Sequence, residues 1–162
     1  MNRLRLLLTV APVLTALVLS ASASATIVPQ KSIAGAKLGM TQAQVEARLG
    51  APNRVRTRKS ESYVFTWRDL VYSRVTVSVF LPSNGSRVFG LTTKSKFERT
   101  TTGVGVDSTL AQVKAGLKGE TCRREFGIHH CWKGSWDMGK AISDFRLAHG
   151  RVSKITISYV FD

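Results

Sequence analysis

The chain has 162 residues, with 24 Lys and Arg against 10 Asp and Glu for a formal charge of +14, and 43% of its positions are hydrophobic. That balance excludes a disordered basic tail and describes a globular protein. At this length one compact unit, or two very small ones sharing a core, accommodates the chain.

Met1 to Ala25 contains no acidic residue, carries Arg3 and Arg5 at its head, runs apolar from Leu6 through Leu19 and closes with Ala23-Ser24-Ala25. This is the pattern of a secretion signal peptide cleaved after Ala25: the apolar stretch is short for a membrane span, and no comparable run follows. Removal takes away only Arg3 and Arg5 among the basic residues, so the basicity belongs to the mature chain. No cysteine lies near the cleavage position, which favours a soluble secreted or periplasmic protein over a lipid-anchored one. The mature chain is expected to be a monomer with no transmembrane segment.

Thr41 to Leu49 (TQAQVEARL) and Thr109 to Leu117 (TLAQVKAGL) match at six of nine positions, which marks an internal repeat. Each copy opens with Thr-x-x-Gln, a capping box whose hydroxyl and amide satisfy the first free N–H groups of a helix. Gly50 and Pro52 supply the stop after the first copy, and Gly119 the same after the second. Val45 with Leu49, and Val113 with Leu117, give each helix one narrow apolar stripe. Strands are expected to follow at Tyr63 to Trp67, Val71 to Phe80 and Arg87 to Thr93, with Asn84-Gly85 as a turn. Lys94 to Val104 reads as a polar joint. The second half is expected to place strands at Gly127 to Trp132, Ile142 to Leu147 and Val152 to Tyr159, with a turn at His149-Gly150. The fold expected is α+β: two tandem repeats, 26–94 and 95–162, each a short helix followed by an antiparallel meander, forming one sheet with the helices on one face.

Cys122 and Cys131 lie close together in a chain read as exported, so a disulfide between them is expected, worth roughly 2.5 kcal/mol on the chain-entropy account. The alternative, a metal site from His129, His130 and Cys131, is the weaker reading, because neighbours on a strand point to opposite faces and at most two of the three could converge. No metal and no cofactor is expected.

The phrase Leu38-Gly39-Met40-Thr41 with Gln44-Val45, Leu49-Gly50 and Pro52 resembles the helix-entry motif of the SmpA/OmlA (BamE-like) domain, and the duplicated layout resembles the tandem repeats of the β-lactamase inhibitory protein. The resemblance implies an extracytoplasmic protein that acts by binding other proteins. Nothing in the chain supplies a Gly-x-Ser-x-Gly elbow or a His-Glu-x-x-His, and Gly103-Val104-Gly105 lacks the remaining glycine and lysine of a phosphate loop, so no catalytic residue is assigned.

The binding surface is expected on the sheet face that the helices leave open. By alternation Tyr72 and Arg74 fall opposite Val71, Val75 and Val77, while Arg146, Lys154 and Thr156 fall opposite Phe145, Ile155 and Ile157. Trp132 and Trp136 flank Lys133-Gly134-Ser135 at the rim. Tyr, Trp and Arg are the types that anchor protein interfaces. The function expected is therefore an exported non-enzymatic protein-binding module. Two alternatives stand beside it: a basic envelope binder of polyanions (cell-wall polymer, anionic lipid or nucleic acid), from the run Arg54, Arg56, Arg58, Lys59 and its companions, and an inhibitor of a secreted enzyme such as a β-lactamase.

Overall fold

The computed structural model describes residues 26–60, 65–81 and 86–161. The signal peptide, Tyr63 and the Asn84-Gly85 turn lie outside the described residues. A three-stranded sheet opens the chain, β1 (Ile27–Val28), β2 (Ser32–Ile33) and β3 (Ala36–Lys37). Helix α1 (Gln42–Leu49) leads to β4 (Arg54–Lys59), β5 (Thr66–Val71), β6 (Thr76–Leu81) and β7 (Val88–Thr93). Helix α2 (Leu110–Gly116) leads to β8 (Thr121–Glu125), β9 (Ile128–Gly134), β10 (Ala141–Ala148) and β11 (Arg151–Tyr159). The last eight strands form one antiparallel sheet in the order β4-β5-β6-β7-β11-β10-β9-β8.

This overturns the expected α+β class of helix-plus-meander repeats with helices on one face. The chain is predominantly β, an eight-stranded sheet with a three-stranded one, and its two helices have only 8 and 7 residues. Both capping boxes do form: the Thr41 and Thr109 hydroxyls accept from the Gln44 and Gln112 backbone N–H groups, and the two glutamine side chains accept from the Thr41 and Thr109 N–H groups in return. Helices this short bury little, since Val45 is the buried residue of α1 and Val113 that of α2. The first helix ends at Gly50, which has a φ of 81°, whereas the second is capped by Leu117 and not by Gly119.

The cover on the sheet is therefore largely non-helical. Ile27, Ile33 and Ala36 of the small sheet join Val45, Val113 and Leu117 over Leu70, Val77, Leu91, Phe145, Ile155 and Ile157. The segment read as a polar joint is part of this cover as well. Its Glu98, Thr100 and Val104 are buried, and the Arg99 carbonyl accepts from both the Thr26 and Ile27 N–H groups. Gly105 is needed there, because a Cβ would meet the Glu98 carbonyl oxygen at 2.4 Å.

Two strands escape the period-two reading. β4 is exposed at every position and β8 has no fully buried one, because they are the two edges of the sheet and need no apolar face. Their arginines are the charged side chains that protect open edges from pairing with other chains. The expected single strand Val71 to Phe80 is in fact β5, a turn and β6, with Val71 paired to Thr76.

Candidate functional site

Alternation on the eight strands separates two faces. Leu70, Val77, Leu91, Phe145, Ile155 and Ile157 point into the core. On the other face the register runs Thr76, Thr92, Thr156, Asp144, Trp132, Thr121 across β6, β7, β11, β10, β9 and β8. A neighbouring row holds Asp69, Ser78, Gly90, Ser158 and Ile142. The small sheet and both helices contribute their buried residues to the opposite, core side. Its centre is a strip of small hydroxyl side chains, partly exposed, and burial rises toward β9 and β10, where His130, Trp132, Ile142 and Asp144 are buried.

Aromatic rings gather at one end of that strip and beyond its β9 side. Phe80 stacks on Phe89 at 4.2 Å, Phe65 meets Phe80 edge-on at 5.4 Å, and Trp67 and Phe161 complete a five-ring cluster. The indole N–H of Trp67 donates to Asp69, which also accepts from the Ser78 hydroxyl and pairs with Arg58. On the far side Trp136, 51% exposed, lies edge-on to the buried Trp132 at 6.0 Å, and the Arg123 guanidinium sits 5.9 Å from the Trp132 ring. His130 Nδ1 lies 2.8 Å from an Asp144 oxygen, and Arg146 Nε donates to the other oxygen at 3.1 Å. The His130 Nε2 is buried without a hydrogen-bond partner among the described residues.

Arg146 and Lys154 stand opposite each other on β10 and β11, on the open face. Burial holds the Lys154 ammonium below the usual lysine range and the positive charge of Arg146 pushes it the same way; Asp144 pulls against them, and Lys94 adds the smallest downward push. Trp132 and Trp136 also belong to this side.

Tyr72 and Arg74 do not. They lie in the β5–β6 turn, where the change of strand breaks the alternation that put them there. Tyr72 packs against the core with its hydroxyl buried and without a partner among the described residues, and burial, then the Glu46 charge, pushes its phenol up. Arg74 Nε donates to the carboxylate of Glu98, which is fully buried. Both residues border a cavity of about 530 Å³ at the strand end, shared with Thr76, Thr92, Lys94 and Phe97. Sequence reasoning missed the Phe65, Trp67, Phe80, Phe89 and Phe161 cluster, although the density of aromatics between Phe65 and Phe89 was the available signal.

Cys122 and Cys131 are directly opposite on β8 and β9 and are joined by a disulfide, which fits an exported protein folding in an oxidising compartment. Cys131 faces the core while His130 faces the open side, and no group of three or more His, Cys, Asp and Glu among the described residues is arranged to hold a metal ion. No helix among the described residues is long and apolar enough to cross a membrane.

Fold and site together define an antiparallel sheet protein with one closed and one open face. No protein-family model and no curated protein matches the chain. Among solved structures it is similar to an extracellular protein containing a SCP domain from Bacillus anthracis str. Ames, at 12% identity and a TM-score of 0.46, over 75% of this chain and 44% of that one. The chain thus spans less than half the length of that protein.

Proposed function

We propose that the protein is an exported, non-enzymatic module that binds a protein partner on the open face of its large sheet. The observation that carries this reading is the arrangement of that face: a low strip of Thr76, Ser78, Gly90, Thr92, Thr156 and Ser158, with the five-ring cluster at one end of its strands and Trp136 beyond its β9 side. Aromatic side chains around a water-accessible strip are what protein interfaces concentrate. The resemblance of Leu38-Gly39-Met40-Thr41 and its following helix to the SmpA/OmlA domain points toward the same extracytoplasmic, partner-binding role, and the apolar Met1 to Ala25 segment toward export. Thr92→Arg tests it by filling the strip with a bulky side chain. Hydrogen exchange on the mature chain with and without its captured envelope partner should show protection along β7 and β11 in the wild type and none in the variant. Protection confined to the covered side would refute the assignment.

A second reading has its own observation. Lys94, Lys154 and Arg146 crowd one another around the single carboxylate of Asp144, and neither Lys94 nor Lys154 forms a salt bridge among the described residues, which suits a polyanion. Retention on anionic cell-wall polymer that collapses between low and high salt would favour it over an aromatic interface.

A further inference from the structure

Five chain segments meet the large sheet at one end: the α1–β4 connection, the β5–β6 turn, the exit of β7, the β8–β9 turn and the β10–β11 turn. Two of them carry a phenylalanine in solvent. Phe126 forms the β8–β9 turn with Gly127 and is 101% exposed; Phe97, four residues beyond β7, is 80% exposed. Counting β7, β11, β10, β9 and β8 across the sheet separates the two segments by roughly 19 Å at the usual strand spacing.

Phe126 is held in an unfavourable way. Its φ is +48° and that of Gly127 is +78°, so the pair makes the two-residue turn that normally takes Asn-Gly or Gly-Gly. A bulky side chain in the left-handed region costs stability, and here no contact offsets the cost, because the ring touches solvent alone. The Cys122–Cys131 disulfide ties the two strands just behind it, so the ring is presented on a stiff support. Basic residues share the loops of both phenylalanines and the neighbouring β10–β11 turn. Arg124 and Lys94 are exposed with no carboxylate partner among the described residues, Arg151 donates only to the Asp107 carbonyl, and Arg123 and Lys96 are shared with Glu125 and Asp107.

We propose that this end of the sheet docks on an anionic lipid surface, with Phe126 and Phe97 entering the interface and Arg123, Arg124, Lys94 and Arg151 meeting the headgroups. Two exposed rings on separate loops at one end of the sheet, with basic residues on the same loops, match a negatively charged lipid plane. The inference concerns the strand-end loops and is independent of the open-face reading.

The test is sedimentation of the mature, disulfide-bonded chain with phosphatidylglycerol vesicles and with phosphatidylcholine vesicles. The wild type should partition to the first and be released by 1 M salt, as roughly 3 Å screening then removes the charge contribution. Phe126→Asn supplies a residue that tolerates the turn, so it should raise the melting temperature while weakening vesicle binding about tenfold, and Phe97→Ser should weaken it by a similar factor. Met138→Ser, an exposed apolar residue at the opposite end of the sheet, should leave binding unchanged. Equal binding to both vesicle types, or full binding by the Phe126→Asn, Phe97→Ser double variant, would overturn the proposal. So would capture of a protein by wild type and not by Phe126→Asn in the absence of vesicle binding, which would assign the ring to a protein pocket.

Discussion

The two faces of the large sheet are written by the same strands, residue by residue, yet they do different work. On the covered face Val77, Leu91, Ile157, Ile155 and Phe145 are fully withdrawn from water, beneath a cover assembled from the small sheet, both helices and the segment around Glu98 and Val104. On the open face their immediate neighbours Thr76, Thr92, Thr156 and Lys154 remain partly in solvent. Apolar burial is the main favourable contribution to folding, so stability is concentrated on one side and the other tolerates polar and aromatic groups in solvent. Substitutions can break this contrast.

The largest effect is expected at the centre of the covered face. Phe145→Ala should destabilise by about 3–5 kcal/mol through lost burial and the cavity left behind, read as a lowered denaturant midpoint. Next comes the disulfide: Cys122→Ser with Cys131→Ser should cost roughly 2–3 kcal/mol, less than the core change, and equilibrium unfolding under oxidising and reducing conditions should converge for that variant. Thr109→Ala removes the capping hydroxyl of α2 and should cost about 1 kcal/mol by the same measurement.

The smallest effect, and one of opposite sign, is expected on the open face. The Lys154 ammonium is held below its ordinary range, so the native state loses that proton before the unfolded state does, and stability from this group rises with pH up to the ordinary lysine value of about 10.4. Lys154→Met should therefore match or slightly exceed the wild type in melting temperature at pH 7, with the difference closing as pH approaches that value. Tyr72 works in the other direction above about pH 10, since its raised phenol keeps its proton only in the native state; comparing the two proteins at each pH cancels it. A loss of several degrees in Lys154→Met at pH 7 would show that the open face contributes to stability after all.

Several features were legible in the chain because they are local. Thr41 with Gln44 and Thr109 with Gln112 announce helix starts through contacts three residues apart, and His149-Gly150, with φ values of 50° and 76°, forms the turn its glycine suggested. The Arg146, Lys154 and Thr156 positions were readable from alternation, since the register shift between β10 and β11 falls just beyond the Arg146–Lys154 pair. Alternation failed at Tyr72 and Arg74, where a turn resets the phase, and at β4 and β8, where edge strands have no buried row to betray them.

The balance of the fold was the harder quantity. Two clear capping boxes weighed toward an α+β class, but a cap states where a helix begins and says nothing of how much surface it will bury. Here 8 and 7 residues bury little, and the sheet dominates.

The amino-acid order alone settled the helix starts, the hairpin turn at Gly150 and a pair of cysteines near enough to join, all consequences of backbone geometry within a few residues. Tertiary structure alone decided that Glu98 is drawn under the sheet to meet Arg74, that rings from Phe65 to Phe161 share one cluster, and that the loops bearing Phe97 and Phe126 share a single end. Those pairings join residues far apart along the chain, and only the closing of the sheet brings them within reach.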